Sequence, residues 1–78
     1  MRAANVLRFV AEQLVDHPDA VRIDVDEDER ETVLELHVHD EDLGKVIGKR
    51  GRTAKALRTL VKAAGALDDD NVTVEIVD

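Results

Sequence analysis

Hydrophobic residues recur at helical spacing in two long stretches of the chain. Residues 2–15 carry an apolar stripe, and His17-Pro18 ends it because proline disfavours helical geometry in the residue before it. Residues 52–66 have aliphatic side chains on one arc and cations on the opposite arc. The pattern predicts two helices, and Gly65 is a residue that can terminate the second. Its apolar arc contains Ala54, Leu57, Leu60, Val61 and Ala64, and its basic arc contains Arg52, Lys55, Arg58 and Lys62.

Apolar and polar residues alternate in three shorter stretches, at 21–26, 32–39 and 72–77. Alternation with a period of two predicts half-buried strands, and the first two form a hairpin joined by an acidic connection, 26–31. The residues predicted to face inward are Val21, Ile23, Val25, Leu34, Leu36, Val38, Val72, Val74 and Ile76.

A short third helix follows the second strand. Asp40 is predicted as its N-cap, and Leu43, Val46 and Ile47 are predicted to point inward. Gly44 weakens so short a helix, which suggests close packing there against a neighbour or a ligand. The resulting order, α-β-β-α-α-β, predicts a two-layer α+β domain with helices on one face of a three-stranded mixed sheet.

Composition limits what such a domain can do. Residues 1–78 are expected to form one domain with one modest core, and without cysteine no disulfide framework or thiolate zinc site can stabilise it. Phe9 is the only aromatic residue, so stacking of bases on aromatic rings is essentially excluded. No signal peptide or membrane span is present, and we expect a cytoplasmic protein.

Charge is distributed unevenly along the chain. The net charge is −7, but seven of the 11 basic residues and none of the 18 acidic residues lie between Lys45 and Leu67. Screening confines electrostatic effects to about 8 to 10 Å, so this basic segment can attract phosphate despite the acidic remainder.

The tetrapeptide Gly48-Lys49-Arg50-Gly51 lies between the two helices of this basic segment. Glycine permits positive φ values and close approach of a ligand to the backbone, and the amides at the start of the next helix favour an anion. Lys49 and Arg50 add charge where a phosphate would lie. The residues therefore indicate an anion-binding turn, although a solvated helix-turn-helix corner has the same pattern.

The stretch Val46-Ile47-Gly48-Lys49-Arg50-Gly51 resembles the VIG-x-x-G signature of KH domains, whose GXXG loop clamps about four nucleotides of backbone. The flanking residues 40–45 and 52–58 fit the same register. With its length and its closing strand, the whole chain is similar to the small bacterial single-KH proteins of the KhpA type. The resemblance implies a type II KH fold and binding of single-stranded RNA.

The binding residues that this comparison implies surround the glycine turn: Lys45, Ile47, Gly48, Lys49, Arg50, Gly51, Arg52 and Lys55. Bases are expected in an aliphatic groove lined by Leu36, Val38, Val46, Ile47, Ala54 and Leu57. In such domains the acidic connection corresponds to a variable loop beside the groove, where its carboxylates would lower affinity.

The resemblance also implies cellular partners. Proteins of the KhpA type are RNA chaperones or post-transcriptional regulators that form homodimers and associate with a larger KH-domain RNA-binding protein, with links to cell elongation and cell-wall or envelope homeostasis. Two other functions remain open: a dimerising protein scaffold with weakened RNA binding, and a module for single-stranded DNA.

No chemistry beyond binding is predicted. The chain has no serine, cysteine or tyrosine, and no histidine is evidently paired with a threonine, so we expect neither an enzyme nor a small-molecule substrate. His37 and His39 share a strand face, but they lack a third ligand and are predicted to be surface residues, so no metal or cofactor is expected. The acidic connection lacks the EF-hand pattern.

Overall fold

A computed structural model describes all 78 residues. The helices are α1 (Arg2–Leu14), α2 (Leu43–Ile47) and α3 (Arg52–Ala66), and the strands are β1 (Arg22–Glu27), β2 (Thr32–His37) and β3 (Val72–Ile76). Short 3₁₀ turns precede β1, α2 and α3. The predicted order α-β-β-α-α-β is confirmed. None of the helices combines the length and the apolar character that crossing a membrane requires.

The sheet has the order β1-β2-β3, with β2 in the centre. The β1–β2 pair is antiparallel and the β2–β3 pair is parallel, so the predicted mixed sheet is confirmed. Alternate residues of β2 and β3 are buried against α1 and α3 on one face of the sheet. The aliphatic core contains Ala3, Leu7, Ala11, Val15, Val21, Leu34, Leu36, Val46, Leu57, Val61, Ala64, Val72 and Val74.

Three apolar residues that were predicted to face inward are exposed instead. Val25 is 49% exposed because it lies on an edge strand, where burial falls from Val21 towards the β1–β2 loop. Leu60 is 46% exposed, because the apolar residues of α3 cover a wider part of the helix surface than the part that contacts the core. Ile47 is 36% exposed at the last position of α2. These predictions were wrong because an apolar pattern does not show how far the opposing layer extends.

Gly65 does not end α3. It lies inside the helix and is buried, and a Cβ atom there would come within 2.6 Å of Val72 Cγ2 and 3.1 Å of the Asp70 carbonyl oxygen. The left-handed residue after the helix is Asp69, with φ 57°. Gly65 therefore serves the close approach of α3 to β3 rather than helix termination.

The junction between β2 and α2 also differs from the prediction. β2 ends at His37, and the residue that caps the following turn is His39, whose Nδ1 accepts a hydrogen bond from the Glu41 amide at 3.1 Å. Asp40 is therefore the first residue of that turn and not its cap.

Two side-chain contacts tie the segment after α1 to the start of α2. Asp42 is 1% exposed, and its Oδ2 lies 2.9 Å from both the backbone nitrogen and the Nδ1 of His17. Burial alone would raise the pKa of Asp42, but the hydrogen bonds from the His17 side chain and amide outweigh it, so the pKa lies below 3.8. One turn on, Lys45 Nζ lies 3.0 Å from Asp16 Oδ2, and the hydrogen bond to Asp16 raises the pKa of Lys45 above 10.5. Asp16 and His17, adjacent residues in the segment after α1, thus hold α2 in place.

Replacing two glycines by alanine should change stability in opposite directions. Gly44→Ala should raise the free energy of unfolding by up to about 1 kcal/mol, because nothing lies within 4 Å of the added methyl and alanine favours helix. Gly65→Ala should lower it by about 1–3 kcal/mol, since the methyl overlaps Val72. Urea denaturation measures both, and a shift of the two variants in the same direction would contradict this packing.

The Asp16–Lys45 pair should make stability depend on alkaline pH. A pKa raised above 10.5 means that the stabilisation is fully present below the unfolded value and is lost as the pH rises through the folded value. The difference in free energy of unfolding between the wild type and Asp16→Asn should therefore be constant near neutral pH and shrink above pH 10.5. Asp19→Asn removes the same charge from an exposed residue without an ion pair and is the control. A difference that persists at high pH would argue against the ion pair.

Candidate nucleic-acid interface

The backbone reverses between α2 and α3 through a left-handed turn. Gly48, Arg50 and Gly51 have φ values of 76°, 59° and 73°. Glycine adopts such values without steric cost, whereas arginine does so at roughly 1–2 kcal/mol. The predicted tight turn is present, and its geometry includes one strained cationic residue.

The two glycines are required for different reasons. A Cβ atom at Gly48 would lie 2.7 Å from Thr53 Cβ and 2.9 Å from its backbone nitrogen, so the first turn of α3 leaves no room for a side chain. A Cβ atom at Gly51 would meet nothing within 4 Å, so only the φ value favours glycine there. Thr53, which closes the space beside Gly48, was not identified from the sequence, because no local pattern marks this contact.

Two amides of the turn donate to carbonyl groups nearby. The Gly48 amide donates to the Gly44 carbonyl at 2.8 Å, and the Gly51 amide donates to the Gly48 carbonyl at 3.1 Å. Lys49 and Arg50 lie between these two glycines. Both side chains are exposed and form no ion pair within the chain. Two unpaired cations therefore lie at the start of a 15-residue helix, where the helix dipole favours an anion.

The other predicted binding cations divide into two groups. Arg52 and Lys55 are exposed in the first turn of α3 and have no acidic partner, so they extend the free positive surface. Lys45 is different, because its ammonium group already contacts Asp16. Farther along the basic arc, Arg58 is also exposed, but its Nε donates to the Val74 carbonyl of β3 at 3.4 Å.

The aliphatic groove is smaller than predicted. Of the six side chains expected to line it, four are buried in the core, with exposures of 4% or less: Leu36, Val46, Ala54 and Leu57. Only the exposed Ile47 and the half-buried Val38 remain accessible to a ligand. The four buried residues were misassigned because the same pattern describes a core and a groove.

The acidic β1–β2 loop lies at the opposite end of α3 from the turn. Asn71 lies beyond the C-terminal end of α3. Its side-chain Nδ2 donates to the Arg30 carbonyl at 3.1 Å, and its backbone carbonyl accepts from the Thr32 amide at 2.8 Å. A helix of 15 residues is about 22 Å long, more than two screening lengths. The expectation that this loop lies beside the binding surface was therefore wrong.

Within the loop, Asp28 Oδ1 accepts hydrogen bonds from the amides of Arg30 and Glu31 at 2.7 and 2.9 Å. The bond from Glu31, followed by that from Arg30, holds the pKa of Asp28 below 3.8. The loop therefore keeps its negative charge near neutral pH, in an ordered turn remote from the cations.

Comparison with known proteins agrees with this geometry. The family model described as KhpA/KhpB, KH domain, matches residues 4–76. The chain is 51% identical over 74 residues to the RNA-binding protein KhpA of Bacillus subtilis strain 168, covering 95% of this chain and 91% of that protein. It is 52% identical over 75 residues to the RNA-binding protein KhpA of Leifsonia xyli subsp. xyli, covering 96% of each.

Among solved structures, Era of Aquifex aeolicus bound to GDP and AlF4⁻ matches 95% of this chain and 29% of its own length, with a TM-score of 0.68. At 20% identity this likeness shows the fold alone. The curated relatives are named RNA-binding proteins, which agrees with the predicted binding function. The chain belongs to the KhpA/KhpB family of KH-domain proteins.

Proposed function

We propose that residues 1–78 act as one KH domain that binds single-stranded RNA along the turn from Gly48 to Gly51. The observation that supports this most strongly is the pair of exposed cations, Lys49 and Arg50, which form no ion pair and lie in a turn of positive φ at the start of α3. In a KH domain this loop clamps the nucleic-acid backbone. A phosphate placed there would contact both side chains and lie close to the glycine backbone.

In this proposal the remaining cations contribute to phosphate binding to different extents. Arg52 and Lys55 continue the positive surface along α3 and contact the next phosphates. Lys45 contributes less, because Asp16 already neutralises it. At Gly44 the surface is open, since a side chain there would meet no atom within 4 Å, and this space allows the RNA strand to pass close to α2.

Base recognition in this protein would be weak. Ile47 and Val38 provide apolar contact, and Phe9, the one aromatic side chain, lies on α1 beside Val6 and Asp68 rather than near the turn. Without stacking, bases are held by van der Waals contact and by hydrogen bonds to their edges. Affinity from one copy should be modest, and pairing two copies would raise it.

The choice of RNA over DNA is supported by the relatives, which are named RNA-binding proteins. A single-stranded DNA module is the alternative, since no reader of the 2′-hydroxyl is evident. The family description names KhpA together with KhpB, and association with a larger KH-domain protein is proposed from the family resemblance. We further propose a role as RNA chaperone or post-transcriptional regulator in the cytoplasm, with effects on cell elongation and envelope homeostasis; these assignments rest on family resemblance.

An exposed apolar stripe on α3 supports homodimerisation. Ala56, Leu60, Ala63 and Leu67 are exposed at spacings of four, three and four residues, which is the spacing of a helix-pairing seam. In an antiparallel pair, each leucine of one copy would oppose an alanine of the other, and the basic start of each α3 would lie near the acidic loop that follows the other α3. A parallel pair would instead bring like charges together.

The same stripe favours the second candidate function, a protein-interaction scaffold. In that case the acidic body of the domain would weaken RNA binding, and pairing would be the main activity. Measurements of RNA binding and of dimerisation separate the two candidates.

Reversing both loop charges should abolish RNA binding. Lys49→Asp/Arg50→Asp replaces two phosphate contacts by repulsion, and we expect affinity for a single-stranded RNA to fall by more than about 100-fold at physiological salt, with a shallower salt dependence. Fluorescence anisotropy measures the affinity, and circular dichroism should be unchanged, since both side chains are exposed.

The matched control is Arg2→Asp/Lys62→Asp, which makes the same change in net charge away from the turn and should retain binding within a few-fold. Retained binding by the loop variant, or equal loss in the control, would refute the RNA site. Repeating the titration with DNA of the same sequence decides between the two nucleic acids.

Leu60→Glu should convert the dimer to a monomer. A charge at the centre of the apolar stripe should raise the dimer dissociation constant more than about tenfold, the effect of losing a central contact. Sedimentation analysis measures the mass, and Val25→Glu, at another exposed apolar residue, is the control that should remain dimeric. A wild-type chain that stays monomeric at high concentration would rule out this interface.

A further inference from the structure

Two histidines that are distant in sequence meet at the start of α2. The rings of His17 and His39 are stacked, with centroids 4.0 Å apart and an interplanar angle of 14°. Glu41 lies beside them, and one nitrogen from each histidine and one Glu41 carboxylate oxygen lie within 4.8 Å of one another. The sequence pattern placed His39 on the same strand face as His37. In the structure His37 is not part of this cluster, since its Nε2 lies 3.0 Å from Asp24 Oδ2 on the sheet.

The buried carboxylate of Asp42 fixes the orientation of His17. Its Oδ2 lies 2.9 Å from His17 Nδ1, so the proton of the imidazole resides on Nδ1 and the lone pair on Nε2. A carboxylate that holds one ring nitrogen while the other is free to bind is the arrangement found behind metal-bound histidines. Asp42 Oδ1 accepts no hydrogen bond, although the residue is 1% exposed. The RNA surface proposed above makes no use of this buried anion.

We propose that His17, His39 and Glu41 bind a divalent transition-metal ion such as Zn²⁺, with Asp42 orienting His17. Two imidazole nitrogens and one carboxylate oxygen suit zinc better than the hard ions Mg²⁺ and Ca²⁺, which prefer oxygen ligands alone. Three protein ligands leave one tetrahedral position for water. Zinc binding at this site goes beyond RNA binding and does not depend on it.

Metal binding requires one side-chain movement. In the stacked arrangement the two ring planes are nearly parallel, so their lone pairs do not converge on one point. His39 must turn out of the stack and release the Glu41 amide, which it contacts at 3.1 Å. Because the His39 side chain is 39% exposed, it has room in solvent for this rotation.

The position of this site gives the ion a structural effect. His17 belongs to the segment after α1, whereas His39 and Glu41 belong to the turn that leads into α2. An ion shared by the two segments would reinforce the contacts that Asp42 and Asp16 already make and would stiffen the helix that carries the glycine turn.

Calorimetric titration of the untagged full chain with zinc chloride tests the proposal. The wild type should bind one ion per chain, and His39→Ala should weaken binding more than tenfold. Asp42→Asn should weaken it about 10- to 100-fold, the usual effect of losing such an orienting carboxylate. In nitrogen-15 spectra of the imidazole rings, zinc should shift the signals of His17 and His39 and leave His37 unchanged.

Two further variants keep the result interpretable. Glu41→Gln changes an exposed side chain and should weaken zinc binding while preserving the fold, and His37→Ala should bind zinc as the wild type does. The proposal is overturned if the wild type shows no saturable binding, if His39→Ala and Glu41→Gln bind as tightly as the wild type, or if His37→Ala loses as much affinity as His39→Ala.

Discussion

The left-handed turn between α2 and α3 is the constraint on which the nucleic-acid surface depends. Only a few residues connect the two helices, and Thr53 occupies the space that a side chain at Gly48 would need. The connection therefore keeps positive φ values at Gly48, Arg50 and Gly51 and holds Lys49 and Arg50 exposed at the start of α3. The proposed phosphate contacts depend on this way of joining the two helices.

The separation of charges along α3 makes the surface around the turn positive. The unpaired cations Lys49, Arg50, Arg52 and Lys55 lie around the start of the helix, whereas the loops 26–31 and 68–70 place their carboxylates near its end. Because about 22 Å separates the two ends and screening acts over about 8 to 10 Å, a phosphate at the turn experiences mainly the local cations. The overall acidity instead opposes loose binding to polyanions elsewhere on the molecule.

Local sequence patterns predicted the features that depend on neighbouring residues alone, namely the helices, the strands and the glycine turn. Periodicity identified two helices and all three strands, and the paired glycines identified the turn. The errors concern contacts between distant segments. Val25 and Leu60 are exposed because the opposing layer ends before it covers them, and His17 meets Asp42 across 25 residues. Gly65 was wrongly predicted to end a helix because its true neighbour, Val72, belongs to a strand whose position the sequence does not reveal.

The small core explains why the outer face of α3 matters. Only 16 of 78 residues are buried, and without disulfides a core of this size usually contributes only a few kcal/mol of net stability. Yet Leu60 and Leu67 remain 46% and 72% exposed on one side of the longest helix. No other element described here covers these two side chains. The proposed antiparallel dimer would bury them, and an acidic loop at one end of α3 with cations at the other makes its two copies electrostatically complementary.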